Sequence, residues 1–215
     1  MKCSNCSKEI APADNFCPDC GFFNGDHARL PYESMKLTFL RADLHEFTKM
    51  SEEMLSEEIM NYLNEVFTLF QKIIASFKGS IYQVIGDEVV SIFGFRKEAG
   101  FAPHMAIFAA EEMFNKLDDV NNRKTLKRSV GLKIGIEMEI ANIFNLQGEL
   151  RDSFIISEGF KKSQLLQKNA DNNSLLVGEN LFQATRAFFG YRDAGEIVDN
   201  KLLLKSYELK FKTRL

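Results

Sequence analysis

Between residues 35 and 93 the apolar pattern changes period twice, and that order limits the fold more than any other stretch of the chain. Residues 35–44 read as a strand. Residues 51–77 repeat apolar side chains every three or four positions, from Leu55, Ile59, Tyr62 and Leu63 through Val66, Phe67 and Phe70 to Ile73 and Ile74, which predicts a long helix. Ser51, followed by Glu52 and Glu53, suits its start, and Lys78-Gly79 its end. Residues 80–85 and 88–93 are two further strands around Gly86-Asp87, a hairpin with glycine at the turn. Downstream the pattern predicts a helix over 101–117, a polar loop over 118–127, strands over 129–136 and 140–146, and a helix over 157–168. A short strand at 174–177, a helix over 180–188 and a closing hairpin of 191–197 with 202–209 follow. Strands and helices interleave with several hairpins, so the class is α+β: a mostly antiparallel sheet with helices packed on it.

Two of the strand ends carry chemistry. Asp43 closes Leu37-Thr38-Phe39-Leu40-Arg41-Ala42, and Asp87 follows Ile81-Tyr82-Gln83-Val84-Ile85-Gly86. A single turn Asp usually caps its own backbone. Two carboxylates that converge can instead share hard divalent cations, which hold and polarise phosphates.

All four cysteines lie in the first twenty residues, as Cys3-Ser4-Asn5-Cys6 and Cys17-Pro18-Asp19-Cys20. Four unrelated thiols or two redox pairs are the alternatives, but such clustering favours one structural Zn²⁺ in a closed four-thiolate shell. Gly21 supplies permissive backbone after the second pair. The segment resembles the short zinc ribbons that open many bacterial multidomain proteins. The expected organisation is a zinc ribbon over 1–23, a linker over 24–34 containing Asn24-Gly25-Asp26 and Pro31, and a main domain over 35–215.

The 215 residues are 45% hydrophobic and 27% charged, which suits one sizeable core with a small appendage. A net charge of −3 gives no basic field to attract nucleic acid. No apolar run approaches the roughly 20 residues a bilayer crossing needs. The N-terminus has no apolar signal core, so a cytoplasmic protein without membrane contact is expected.

Ala42-Asp43-Leu44-His45-Glu46-Phe47-Thr48 resembles the A-D-[IL]-x-G-F-T motif of class III adenylate and guanylate cyclases. Val84-Ile85-Gly86-Asp87-Glu88-Val89-Val90-Ser91-Ile92-Phe93-Gly94 resembles their F-I-G-D-x-x-M-A-x-F-G hairpin. Ala194-Gly195-Glu196 with Ser206-Tyr207-Glu208-Leu209 is similar to the final hairpin of many bacterial members. The resemblance implies the ferredoxin-like nucleotidyl-cyclase fold and a nucleoside triphosphate as partner. It implies that Asp43 and Asp87 hold Mg²⁺ or Mn²⁺ with help from the Leu44 carbonyl. Backbone N–H groups of His45, Glu46, Phe47 and Thr48 would cradle phosphate at a helix start. The family site spans a head-to-tail dimer, so a homodimer, or a heterodimer with a cyclase-like partner, is expected.

Departures from the family pattern are uneven. Gln83 stands where the base-reading Lys belongs. Aligning Ser157-Glu158-Gly159-Phe160-Lys161-Lys162-Ser163-Gln164-Leu165 with G-D-x-V-N-x-A-x-R puts Lys161 at the Asn position and Leu165 at the Arg position. G-I-H-x-G-E has become Gly135-Ile136-Glu137-Met138-Glu139-Ile140, and Glu46 replaces the glycine of the phosphate loop. Leu165 cannot donate to a developing phosphate charge, a loss of about 3 kcal/mol or more of transition-state binding. Lys161 or Lys162 could partly replace it as a point charge, though a solvated helix face is the plainer reading. Three functions therefore compete. The first is a degenerate cyclase-like domain that binds nucleotide or regulates signalling. The second is a true cyclase, in one version completed by a partner chain, and the third is a zinc-ribbon scaffold for protein contacts.

Overall fold

A computed structural model describes residues 2–3, 5–11, 17–20, 32–47, 51–52, 54–95, 99–123, 129–145, 150, 153–200 and 202–211. The chain divides into two compact units, Met1–Tyr32 and Glu33–Leu215.

In the first unit, Lys2 bridges to Glu9, and the Cys3 N–H donates to the Lys8 carbonyl at 2.8 Å. Ser7 takes φ +63° to close this turn. Cys3, Ile10 and Cys17 are its buried apolar residues.

In the second unit one sheet holds eight strands: β1 (Glu33–His45), β2 (Gly79–Ile85), β3 (Glu88–Phe93), β4 (Gly131–Asn145), β5 (Ser153–Ile156), β6 (Ser174–Gly178), β7 (Tyr191–Asp199) and β8 (Leu202–Leu209). Their order is β2-β3-β1-β4-β6-β8-β7, with β5 paired to the far end of β4. Every pairing is antiparallel except β4 with β6. Four α-helices are described: α1 (Ser56–Ser76), α2 (Ala102–Asn122), α3 (Gly159–Asn169) and α4 (Glu179–Thr185).

The central strand β1 is covered on both faces, which is why its sequence reads as a near-continuous apolar run. Leu40, Ala42 and Leu44 join Val66, Phe70 and Ile74 of α1 and Ala106, Ala110 and Met113 of α2 in the main core. Leu37 and Phe39 point the other way, into a smaller cluster with Ile92, Ala141 and Ile143. Helix α3 closes this second face at short range: a Cβ on Gly159 would sit 2.1 Å from the Phe39 ring, and one on Gly135 would sit 2.3 Å from α3 backbone at Ser163 and Gln167.

Several boundaries move. The first long helix begins at Ser56, not Ser51, because Leu55 is extended and its N–H is taken by the Glu58 carboxylate at 3.0 Å. Helix α2 runs on to Asn122, since Val120 is buried while Asp118 and Asp119 lie on its outer side. Helix α4 stops at Thr185. The two strands expected at 129–136 and 140–146 are one continuous β4, and β5 was not foreseen. Strand β1 begins at Glu33, inside the range read as linker; the rest of that range up to residue 31 lies outside the described residues. His104 packs edge-on against Phe188 with ring centroids 4.8 Å apart.

Candidate functional site

Asp43 and Asp87 come together because β1 and β3 are neighbours in a fixed register. Asp43 faces Glu88 across the ladder, so the preceding turn residue, Asp87, lies beside the end of β1. The Leu44 N–H donates to the Asp87 carbonyl at 3.3 Å. A strand residue presents its N–H and C=O on the same edge, so the Leu44 carbonyl also emerges toward this turn. Gly86 makes the reversal with φ +62°, a conformation that β-carbon-bearing residues adopt poorly.

Asp43 senses the Asp87 charge. Burial pushes the Asp43 carboxyl above its ordinary range and the Asp87 charge adds to the rise, while Lys133 and His45 oppose it. Lys133 stands directly opposite Asp43 on β4, a neighbour that motif reading missed because it belongs to a strand about ninety positions on. Two half-buried carboxylates at adjoining strand ends, next to a carbonyl, offer only oxygen donors, the kind hard divalent cations take. The residues present therefore fit Mg²⁺ or Mn²⁺.

The phosphate-loop residues are mixed. His45 ends β1 and is half-buried, and Phe47 is buried against Tyr62, with ring centroids 6.0 Å apart. Thr48 lies outside the described residues. Glu46 takes φ +66°, the left-handed conformation that explains why the cyclase motif carries glycine here. Glu46→Gly is expected to raise stability by about 1 kcal/mol through relief of this strain. A shift of the denaturant midpoint at constant m-value checks it.

The other family positions do not join the carboxylates. Gln83 is exposed on the edge strand β2, one residue past a bulge at Tyr82. Lys161 pairs with Asp199 of β7 at 2.8 Å. Leu165 is packed with Leu166, Leu176 and Leu204 and with Ile197. Lys162 is bonded to Glu139 of β4 and also pairs with Glu158 at 3.1 Å, so neither the plainer reading of a merely solvated face nor the alternative of a spare lysine for phosphate describes two lysines with internal partners.

A second feature unseen in sequence is the ion pair between Arg41 and Glu88, at 2.5 Å, with Arg41 only 8% exposed. It adjoins Asp43 on the face of the sheet that α3 covers, because Arg41 stands opposite Gly135, whose Cβ direction meets α3.

The thiols of Cys3, Cys6, Cys17 and Cys20 all lie within 4.8 Å of one another, with Cys3–Cys20 at 3.6 Å and Cys6–Cys17 at 3.5 Å. A Zn–S bond of about 2.3 Å puts tetrahedral sulfurs roughly 3.8 Å apart, so these separations fit one ion. The Asn5 and Cys6 N–H groups point at the Cys3 sulfur, at 3.4 and 3.5 Å, as donors to a thiolate would. Crowding disfavours ionisation without a cation: the backbone bond at Lys8, the largest single influence, lowers the Cys6 thiol, but the bonds to the other three sulfurs and desolvation together push it up to about 12.

Residues 30–141, just over half of the chain, match the family model described as the adenylate and guanylate cyclase catalytic domain. That match includes Asp43 and Asp87. No protein in the curated comparison matches the chain. Among solved structures, the adenylyl cyclase CyaB from P. aeruginosa is 20% identical over 86% of this chain and 98% of its own, with a TM-score of 0.78. The guanylyl cyclase Cya2 is also 20% identical, over 82% and 92%, with a TM-score of 0.72. The guanylate cyclase domain of RhGC from Catenaria anguillulae, solved with GTP, is 15% identical over 83% and 98%, with a TM-score of 0.71. Fold, motif order and family model agree: the chain belongs to the adenylate and guanylate cyclase catalytic domain family.

Proposed function

We propose that this chain is a degenerate cyclase-family module that binds a nucleoside triphosphate through metal held by Asp43 and Asp87, and that it works as a nucleotide-binding or regulatory signalling unit. The observation that carries this reading is the contrast between two halves of a site. Asp43 and Asp87 stand at adjoining strand ends, near enough for the Asp87 charge to raise the Asp43 carboxyl, whereas Lys161 is tied to Asp199 and Leu165 to an apolar cluster. A bound Mg²⁺ or Mn²⁺ would neutralise the triphosphate and lower the pKa of a ribose hydroxyl. Asp43 and Asp87 would orient that ion, and the Leu44 carbonyl would complete the oxygen set. Lys133, beside Asp43, can offset polyphosphate charge. No side chain at positions 161 and 165 is free to meet charge that develops during cyclisation. Losing one such donor typically slows turnover about 100-fold or more.

Calorimetric titration with Mn²⁺ and ATP or GTP, with product analysis, tests this. Expected are metal-dependent binding, its loss in Asp43→Ala and Asp87→Ala, and cyclic nucleotide at background level. Robust product from the purified chain would sink it. A second reading follows from the same unevenness: a cyclase-like partner lends the missing donors in a heterodimer. Activity would then arise only on mixing and vanish with Asp43→Ala. The zinc-ribbon scaffold predicts no metal-dependent nucleotide binding at all.

In this reading residues 1–23 are a structural Zn²⁺ ribbon, 24–34 a linker and 35–215 the cyclase-like domain. Thiols gathered in one cluster for metal suit a cytoplasmic setting. Among the described residues, no helix is long and apolar enough to cross a membrane.

A further inference from the structure

Where β4, α3 and α4 meet, two carboxylates share one lysine and a third, Glu137, is left without a cation of its own. Glu137 is 1% exposed. Its Oε1 accepts from the Met138 N–H at 2.8 Å and from the Leu181 N–H, in the first turn of α4, at 3.1 Å. Its other oxygen fills the space at Gly178, where a Cβ would come within 1.8 Å. Two residues along the same face of β4, Glu139 takes Lys162 of α3 and the side-chain amide of Asn180 of α4. Glu158, at the start of α3, takes Lys162 as well. Lys162 is thus engaged by Glu139 and Glu158 and makes no direct bond to Glu137. The charged groups facing this corner are Glu139 from β4, Lys162 and Glu158 from α3, and Glu179 from α4, which is itself held by the Tyr207 hydroxyl at 2.5 Å.

We propose that this junction is a proton-operated catch, in which protonated Glu137 seats α3 and α4 on β4 and its ionisation loosens them. A carboxylate sealed from water without its own counter-ion is unfavourable, and a proton removes the problem at the least structural expense. Burial is the main influence and carries the Glu137 carboxyl up to about 7. The Met138 and Leu181 N–H groups hold it down, the Glu139 charge raises it, and Lys162 lowers it. Its ordinary value is 4.5, so between 4.5 and 7 the closed corner keeps a proton that an opened one releases. The advantage of the closed form is therefore complete below that window and is lost as pH rises through it. Above about 7 no further change is expected. The catch is independent of whether the carboxylate pair at Asp43 binds metal.

Hydrogen–deuterium exchange of α3 and α4 between pH 5.5 and 8, corrected for intrinsic exchange, reads the device, alongside a carbon-detected NMR titration of the Glu137 carboxyl. Expected are a loss of protection on the order of 30-fold across that range, as linkage over this window gives, and a high carboxyl midpoint. Glu137→Gln is expected to abolish the pH dependence while Glu139→Gln leaves most of it. A carboxyl midpoint in the ordinary range overturns the proposal. So does a high midpoint with unchanged protection, or the same pH slope in Glu137→Gln. Should Glu137→Gln fail to fold, the midpoint and protection of the unaltered chain still decide.

Discussion

Stripping metal from the proposed zinc module is expected to unfold it. Among its described residues, Ile10 and two thiols are the only buried apolar groups, far too little to offset the ordering of a segment this size. In the proposed reading the fold comes from the ion, whose apparent contribution in comparable small modules is about 10–16 kcal/mol at neutral pH. With a strong chelator, or in Cys17→Ser, the amide resonances of residues 2–20 are expected to collapse to unfolded positions. Those of residues 33–211, which have their own core, are expected to persist. Elemental analysis should find one zinc per chain. A module that stays folded without metal would mean that the close sulfur separations arise from something other than a tetrahedral ion.

Arg41→Met is the second large effect. The ion pair with Glu88 lies in the sheet's second face, and the buried Arg41 Nε has no hydrogen-bond partner among the described residues. Such a pair adds little over an apolar pair of the same shape. Removing one partner is different, because it strands a charge. Burial and the Asp43 charge already push the Glu88 carboxyl upward while Arg41 holds it down. Arg41→Met should cost about 3–5 kcal/mol, a fall in Tm of about 10 °C for a domain this size. Adding Glu88→Leu to Arg41→Met should recover most of the loss. Thermal melts of the three variants measure this, and a double variant no better than Arg41→Met would refute the stranded-charge account.

The strands that read most clearly were those whose both faces meet core. In β1, Leu37, Phe39, Leu40, Ala42 and Leu44 all find apolar partners, so local pattern and tertiary environment agree. Strand β4 misled for the opposite reason. Glu137 and Glu139 look like loop residues, yet one ties to the start of α4 and the other bonds Lys162, and neither partner is visible within a short window. The helix start at Ser56 was hidden because an apolar residue, Leu55, occupies the capping position and Glu58 does the capping. At the candidate site the motifs found Asp43 and Asp87 because each is a local strand-end signal. Lys133 and Arg41 escaped because their importance comes only from register. The fates of Lys161 and Leu165 likewise depend on β7 and β8, which come after them in the chain.

The pairing of β1 with β4 has a consequence for synthesis. Glu33 finds its partner at Ile143, and Asp43 at Lys133, so the middle strand of the sheet is translated long before one of its two neighbours exists. At about 5–20 residues per second, β1 waits on the order of ten seconds on the ribosome with a naked apolar edge. An unpaired strand is an aggregation hazard while it waits, and codon changes that slow elongation before residue 131 should raise the share that aggregates.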